Sequence, residues 1–294
     1  MDTKSSFHLR RLACVAIAVV FCAVGGSAIA AITPEETAMM RLMQLSETPG
    51  QASVDEVLTL AAEGSTFPMR HQFIFVALTR LGPATSADNY AKSVLDAGTG
   101  SSELLRGALA YLTEHAQRAW GSYAATYLDA TQPGEVRAMA AYLAGMLGLT
   151  AHKDTIISIV SNAAYGDWRL HAAMGLAYLQ PVNEFTTTLN AAALNGEDTR
   201  LVTSYNAFLQ ASDTDKEAML SSLLGRGEIP LQLIAMRYLL QQNKVDLLKN
   251  SGVVTGDAIT VSFSTKPYQA IARILGYQVS GNIDAVSISR STLR

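Results

Sequence analysis

One arginine recurs in a fixed frame along most of this chain, and that spacing limits the fold more than any other feature. Arg70, Arg106, Arg137, Arg169 and Arg200 follow one another at intervals of 36, 31, 32 and 31 residues, and Gln232 continues the frame 32 residues on. Small or apolar residues follow each at helical spacing, as in VRAMAAYLAG from Val136 and WRLHAAMGLA from Trp168. Self-similarity at a period of about 32 residues is the signature of stacked supersecondary units.

Each unit reads as two helices. In the first, Ala140, Leu143, Ala144 and Leu147 recur at three and four and form one apolar stripe. Second helices are predicted at 87–97, 122–130, 154–164, 184–194 and 216–224, with one more pair upstream at 34–46 and 53–63. All eight prolines fall at breaks or first turns, where a missing N–H costs nothing. The expectation is an all-α chain of about seven helix pairs from residue 31 to 252, with no linker inside it.

The acid before each arginine refines this. Gly134-Glu135-Val136-Arg137 followed by Ala138, Ala140 and Ala141 resembles the HEAT-like repeats of the phycobilisome-lyase type. Gly166-Asp167-Trp168-Arg169 follows the pattern with Trp for Val, and Gly196-Glu197-Asp198-Thr199-Arg200 more loosely. The resemblance implies a right-handed superhelical α-solenoid, an architecture that serves mostly as a binding surface. Residues two apart on a helix do not face each other. Each arginine is therefore expected to reach the acid of an adjacent unit, so that Arg70, Arg106, Arg137, Arg169 and Arg200 form a structural ladder. The alternative is a row of anion-binding guanidinium forks.

The first thirty residues read as a separate element. Lys4, Arg10 and Arg11 precede an apolar run from Leu12 to Val24, then Gly25-Gly26, then Ala28-Ile29-Ala30. That is the anatomy of a secretory signal peptide cleaved after Ala30, which places the protein in the periplasm or outside the cell. The alternative is an anchor helix from Ala13 to Ile32. Both cysteines, Cys14 and Cys22, lie in this segment, so the remainder carries no thiol chemistry. Without residues 1–30 the chain has 19 basic and 24 acidic side chains, a net charge of −5. Such a balance offers no footprint for nucleic acid.

No catalytic signature emerges. His71, His115, His152 and His171 are not paired at three or four, and HExxH, G-x-S-x-G and glycine-rich phosphate loops are absent from the sequence. No metal, cofactor or catalytic residue is expected. The lyase resemblance includes enzymes that attach bilins, but their catalytic residues have no counterpart here. Trp120, Tyr123 and Tyr127 fall at three and four and read as core, with sugar stacking as the alternative.

Beyond Gly252 the helical period stops. Ile259–Ser264 alternates, Pro267–Leu275 is amphipathic and Val286–Ser289 alternates again. This strand–helix–strand unit (253–294) weakly resembles the small periplasmic domains that precede secretins and TonB-dependent receptors. It is expected to cap the last repeat as a small α/β unit.

Polar stripes on the second helices carry the functional expectation. Thr155, Ser158 and Asn162 lie at three and four, as do Asn183, Thr187 and Asn190; Asn89, Lys92 and Asp96, then Ser122, Thr126 and Asp129, continue the pattern upstream. Small uncharged donors and acceptors suit a peptide or polar polymer better than DNA or an anionic membrane. The sequence thus points to an exported, non-enzymatic adaptor that binds an envelope protein or an extended peptide, without stable membrane insertion after cleavage. The alternative is an envelope enzyme or enzyme subunit acting on polysaccharide or peptidoglycan through the groove, marked by paired carboxylates across it.

Overall fold

A computed structural model describes residues 33–48, 50–65, 67–115 and 118–225, together with Ala235, Tyr238 and three short strands. The predicted signal peptide lies outside the described residues. The backbone separates into two units after Pro34, and the description below concerns the second.

Between 34 and 225 the described residues form twelve α-helices: α1 (Pro34–Leu45), α2 (Gln51–Ala62), α3 (Pro68–Leu81), α4 (Thr85–Ala97), α5 (Ser102–His115), α6 (Gly121–Tyr127), α7 (Gly134–Met146), α8 (Lys153–Ser161), α9 (Arg169–Leu179), α10 (Val182–Ala192), α11 (Gly196–Gln210) and α12 (Asp213–Gly225). Short 3-10 turns cover Arg118–Trp120, Thr150–His152 and Ala163–Trp168. Six of the seven expected pairs are described. Of the seventh, Ala235 and Tyr238 are helical and buried. Pro34 and Pro68 open α1 and α3, and Pro133 and Pro181 stand at the N-caps of α7 and α10, where fixed φ helps and no N–H is lost. Asn195 caps α11: its Oδ1 accepts from the Asp198 N–H at 2.8 Å while its amide donates to the Asp198 carboxylate at 2.5 Å.

The helices segregate by parity. The odd ones pack in succession, α3 on α5, α5 on α7, α7 on α9 and α9 on α11. Among the even ones, α2 packs beside α4 and α8 beside α10. Tyr127 of α6 donates to the Leu95 carbonyl of α4 at 2.6 Å, and Tyr123 to Asp96 at 2.9 Å. The alanines explain the tightest of these interfaces. Ala140, Ala141 and Ala144 of α7 and Ala172, Ala173 and Ala177 of α9 are all fully buried, so the two backbones approach closely. The contact is closest at Gly145 and Gly175: a Cβ on Gly145 would lie 2.0 Å from the Gly175 carbonyl oxygen. Trp120 and Tyr127 are buried, as core packing required, while Tyr123 is half-buried.

The segment Ala163–Trp168 departs from the expected helix over 154–164. Helix α8 stops at Ser161, and Gly166 takes φ +52°, a left-handed value that favours glycine. The turn lays its aromatics on two ladder arginines. Tyr165 receives a hydrogen bond from Arg137, and the Arg106 guanidinium stands 4.6 Å from the Trp168 ring centroid. Trp168, at the start of α9, thus reaches back past α7 and α8 to Arg106 of α5.

The C-terminal unit holds three strands where two were expected: β1 (Ile259–Val261), β2 (Tyr277–Gly281) and β3 (Val286–Arg290). They form an antiparallel sheet in the order β1-β3-β2, with Ile288 opposite both Ile259 and Val279. Tyr277-Gln278-Val279-Ser280 alternates as a strand does, but the strand–helix–strand reading passed from the helix over 267–275 to the strand at Val286–Ser289 without it. The expected helix over 267–275 lies outside the described residues.

Candidate functional site

The arginine ladder is built differently from the sequence expectation. Arg70 does meet acids: its side chain, 6% exposed, bonds Glu63 at 2.6 Å and Glu35 at 3.4 Å, and the Leu60 carbonyl at 2.6 Å. Arg137 and Arg169 instead bond main-chain carbonyls. Arg137 donates to Leu128 O at 3.0 Å, just past the end of α6, and Arg169 to Ala192 O at 2.9 Å, the last residue of α10. The reason is local. A helix C-terminus leaves four carbonyls without partners and carries a partial negative charge, so an arginine beside it finds acceptors closer than a neighbouring carboxylate. Leu60, Leu128 and Ala192 all lie at the ends of second helices. The ladder thus tethers second helices to the stack of first helices, while Asp198 closes the cap on its own helix. Arg106 packs on Trp168, and Arg200 is exposed.

Helix α8, which carries Thr155 and Ser158 and ends just before Asn162, packs beside α10, which carries Asn183, Thr187 and Asn190. Ser158, Asn162, Asn183, Thr187 and Asn190 are exposed and Thr155 is half-buried. Asn162 is not part of the helix: it takes an extended backbone after Ser161, and its side chain accepts from the Ala164 N–H at 3.0 Å. Lys153 and Glu184 bridge the two helices at 2.9 Å. Hydrogen bonds from Lys153 and Gln180 hold the exposed Glu184 carboxyl below its usual range.

Two stripe hydroxyls, and two others on earlier second helices, are committed to their own backbone. Ser158 donates to Thr155 O at 2.7 Å, Thr187 to Asn183 O at 2.9 Å, and on earlier helices Thr59 to Asp55 O at 2.9 Å and Ser93 to Tyr90 O at 2.8 Å. A hydroxyl whose proton is used this way offers only lone pairs outward. These four hydroxyls therefore present acceptors outward.

Sequence reading missed a group on the first helices. Tyr142 of α7, Tyr178 of α9 and Tyr205 of α11 converge, with the Tyr205 hydroxyl 3.2 Å from that of Tyr142 and 2.7 Å from that of Tyr178. Burial, then the neighbouring phenols, push the Tyr205 hydroxyl well above its usual range. No local period flags three tyrosines separated by 36 and 27 residues. Only the stacking of α7, α9 and α11 brings them together.

Among the described residues no three histidine, cysteine or acidic side chains gather as a metal site, and no helix is long and apolar enough to cross a membrane. Neither any family model, nor any curated protein, nor any solved structure matches the chain.

Proposed function

We propose that this protein is an exported helical-repeat adaptor, without catalytic activity of its own, that binds an envelope protein or an extended peptide along its second helices. In this reading the helix pairs form a right-handed HEAT-like solenoid, residues 1–30 are removed on export, and the C-terminal strands belong to a terminal cap. The observation that supports it is the packing of α8 beside α10, two second helices whose polar residues Ser158, Asn183, Thr187 and Asn190 are exposed. The succession of odd helices supports the repeat architecture, since each unit covers the apolar face of the one before it.

The test is a double substitution, Ser158→Lys with Thr187→Lys. Both side chains face solvent, so the melting curve should stay within about 0.5 kcal/mol of the parent. A partner that docks on this face would bury unpaired charge and lose affinity. A protein captured from envelope extracts by the parent and lost by the variant supports the reading. Equal capture by both places the contact elsewhere and refutes it.

A further inference from the structure

We infer that Asn195 is a site of self-modification: the main-chain nitrogen of Gly196 displaces its side-chain amide, at a rate set by the capping bonds that hold Asn195. An asparagine followed by glycine occurs once in the chain, in Leu194-Asn195-Gly196-Glu197. Both reacting groups belong to the protein, so the reaction needs water and no partner. Glycine matters at the second position because no side chain obstructs the approach of its own nitrogen. The structure leaves that approach open, since nothing lies within 4 Å of where a Gly196 Cβ would stand. Asn195 and Gly196 are both exposed, so water reaches them.

The step balances without oxidant or reductant. The Gly196 N–H gives its proton to water, and the nitrogen lone pair attacks Asn195 Cγ. A C–N bond forms, the Cγ–Nδ2 bond breaks, and Nδ2 leaves as ammonia after taking a proton back from water. The resulting five-membered succinimide then adds one water. Opening at Cγ gives aspartate; opening at the main-chain carbonyl gives isoaspartate, whose main chain runs through Cγ.

The folded geometry restrains this chemistry. Asn195 Oδ1 accepts from the Asp198 N–H at 2.8 Å, its amide donates to the Asp198 carboxylate at 2.5 Å, and its carbonyl accepts from the Thr199 N–H at 2.9 Å. Ring closure brings Cβ and the Gly196 nitrogen to eclipse about the Cα–C bond, and the ψ of 156° at Asn195 holds them apart. The reaction therefore passes through opening of the first turn of α11, which helix ends undergo more readily than helix centres. The connection itself favours opening. Residues 193–195 alone join α10 to α11, and Ala193 takes φ +49°, left-handed for a residue with a Cβ. Asn183 and Asn190 are also exposed, but Glu184 and Ala191 follow them inside α10.

Conversion alters the junction. Aspartate at 195 loses the Nδ2 donor and sets a second carboxylate against that of the buried Asp198. Isoaspartate adds a main-chain carbon to a connection that already forces Ala193 left-handed. Either product loosens the start of α11 where it leaves α10, the helix that carries Asn183, Thr187 and Asn190.

The experiment incubates the whole protein in mildly alkaline buffer, native and in urea, and follows tryptic peptide 170–200 by mass spectrometry. That peptide holds Asn183, Asn190 and Asn195, so two of its asparagines serve as internal controls. The native protein should convert at Asn195 and not at Asn183 or Asn190, with isoaspartate among the products. Urea should quicken conversion about fivefold, the factor that one asparagine cap contributes. Asp198→Ala, which removes one capping bond, should quicken it about twofold to fivefold in the native protein. Gly196→Ala should slow it about tenfold or more in urea as well as in buffer, because the methyl crowds the attacking nitrogen. Hydrogen exchange at 196–200 should be about fivefold faster in the aged protein than in the fresh one. Native protein left unconverted while the urea sample is consumed would overturn the site. Equal rates in buffer and urea would overturn control by the cap, and a Gly196→Ala chain converting as fast as the parent would overturn attack by the Gly196 nitrogen. Unchanged exchange after full conversion would overturn the loosened junction.

Discussion

Substituting Gly175 by alanine should destabilise this protein, although at an ordinary helix position the same change stabilises. Inside a helix, alanine is favoured over glycine by about 1 kcal/mol, because glycine loses more backbone freedom on folding. At Gly175 the added methyl would stand 2.3 Å from the Ala141 carbonyl oxygen and 2.8 Å from the Tyr142 Cα. The reciprocal contact is as close, with a Cβ on Gly145 at 2.4 Å from the Gly175 carbonyl carbon. Normal contact needs more than about 3.4 Å, and the obstacles are backbone atoms that no rotamer change moves aside. Helices α7 and α9 must therefore separate by about 1 Å. That opens a gap along Ala140, Ala141, Ala144, Ala172 and Ala173, all fully buried, and a gap of this size forfeits a quarter to half of each dispersion contact. Overpacking costs about 1–3 kcal/mol where side chains can yield, and more where they cannot. Less the propensity gain, Gly175→Ala should cost about 2–4 kcal/mol, or about 5–12 °C in Tm for a chain of this size. Gly196→Ala is the control. It lies at the start of α11 with nothing within 4 Å of its Cβ position, and should change stability by less than about 0.5 kcal/mol. Urea melts followed by circular dichroism separate the two. Because one displacement relieves both clashes, the Gly145→Ala/Gly175→Ala double variant should cost less than the sum of the singles. A Gly175→Ala protein as stable as the parent would refute the close backbone crossing and with it the account of the alanine-rich stripe.

Two further outcomes can be measured in the same way. Arg70→Met should cost about 2–4 kcal/mol and Arg169→Met about 1–2 kcal/mol: Arg70 is buried with two acids and a carbonyl, while Arg169 bonds carbonyls alone. Equal, negligible losses in melting experiments would show that the arginines do not tether the helices. Alkali should unfold the protein cooperatively. Tyr205 and Tyr111 are raised chiefly by burial, so the folded state keeps them protonated while the unfolded chain ionises near pH 10. Their contribution to stability is complete below that pH and is lost as pH rises above it. Tyrosinate absorbance should therefore appear in step with the loss of helical circular dichroism, and a smooth titration of every phenol with the helices intact would contradict the burial.

The sequence by itself determined the helices and their pairing. A period of about 32 residues, apolar positions at three and four, and prolines restricted to breaks and first turns are local facts, and α1 to α12 fall within a few residues of where those facts put them. The exposed stripe of Ser158 and Thr187 was legible for the same reason, since which side of one helix faces solvent follows from that helix's own pattern. What no local pattern encodes is which groups from different helices meet. Arginines spaced one repeat apart read as partners for the acids of adjacent units, yet Arg137 and Arg169 reach carbonyls at helix ends, whose positions depend on how each connection turns. The Tyr142–Tyr178–Tyr205 contact and the Gly145–Gly175 crossing exist only because α7, α9 and α11 stack at short distance. Backbone geometry propagates over one turn, whereas the partners of a side chain are set by the packing of the whole.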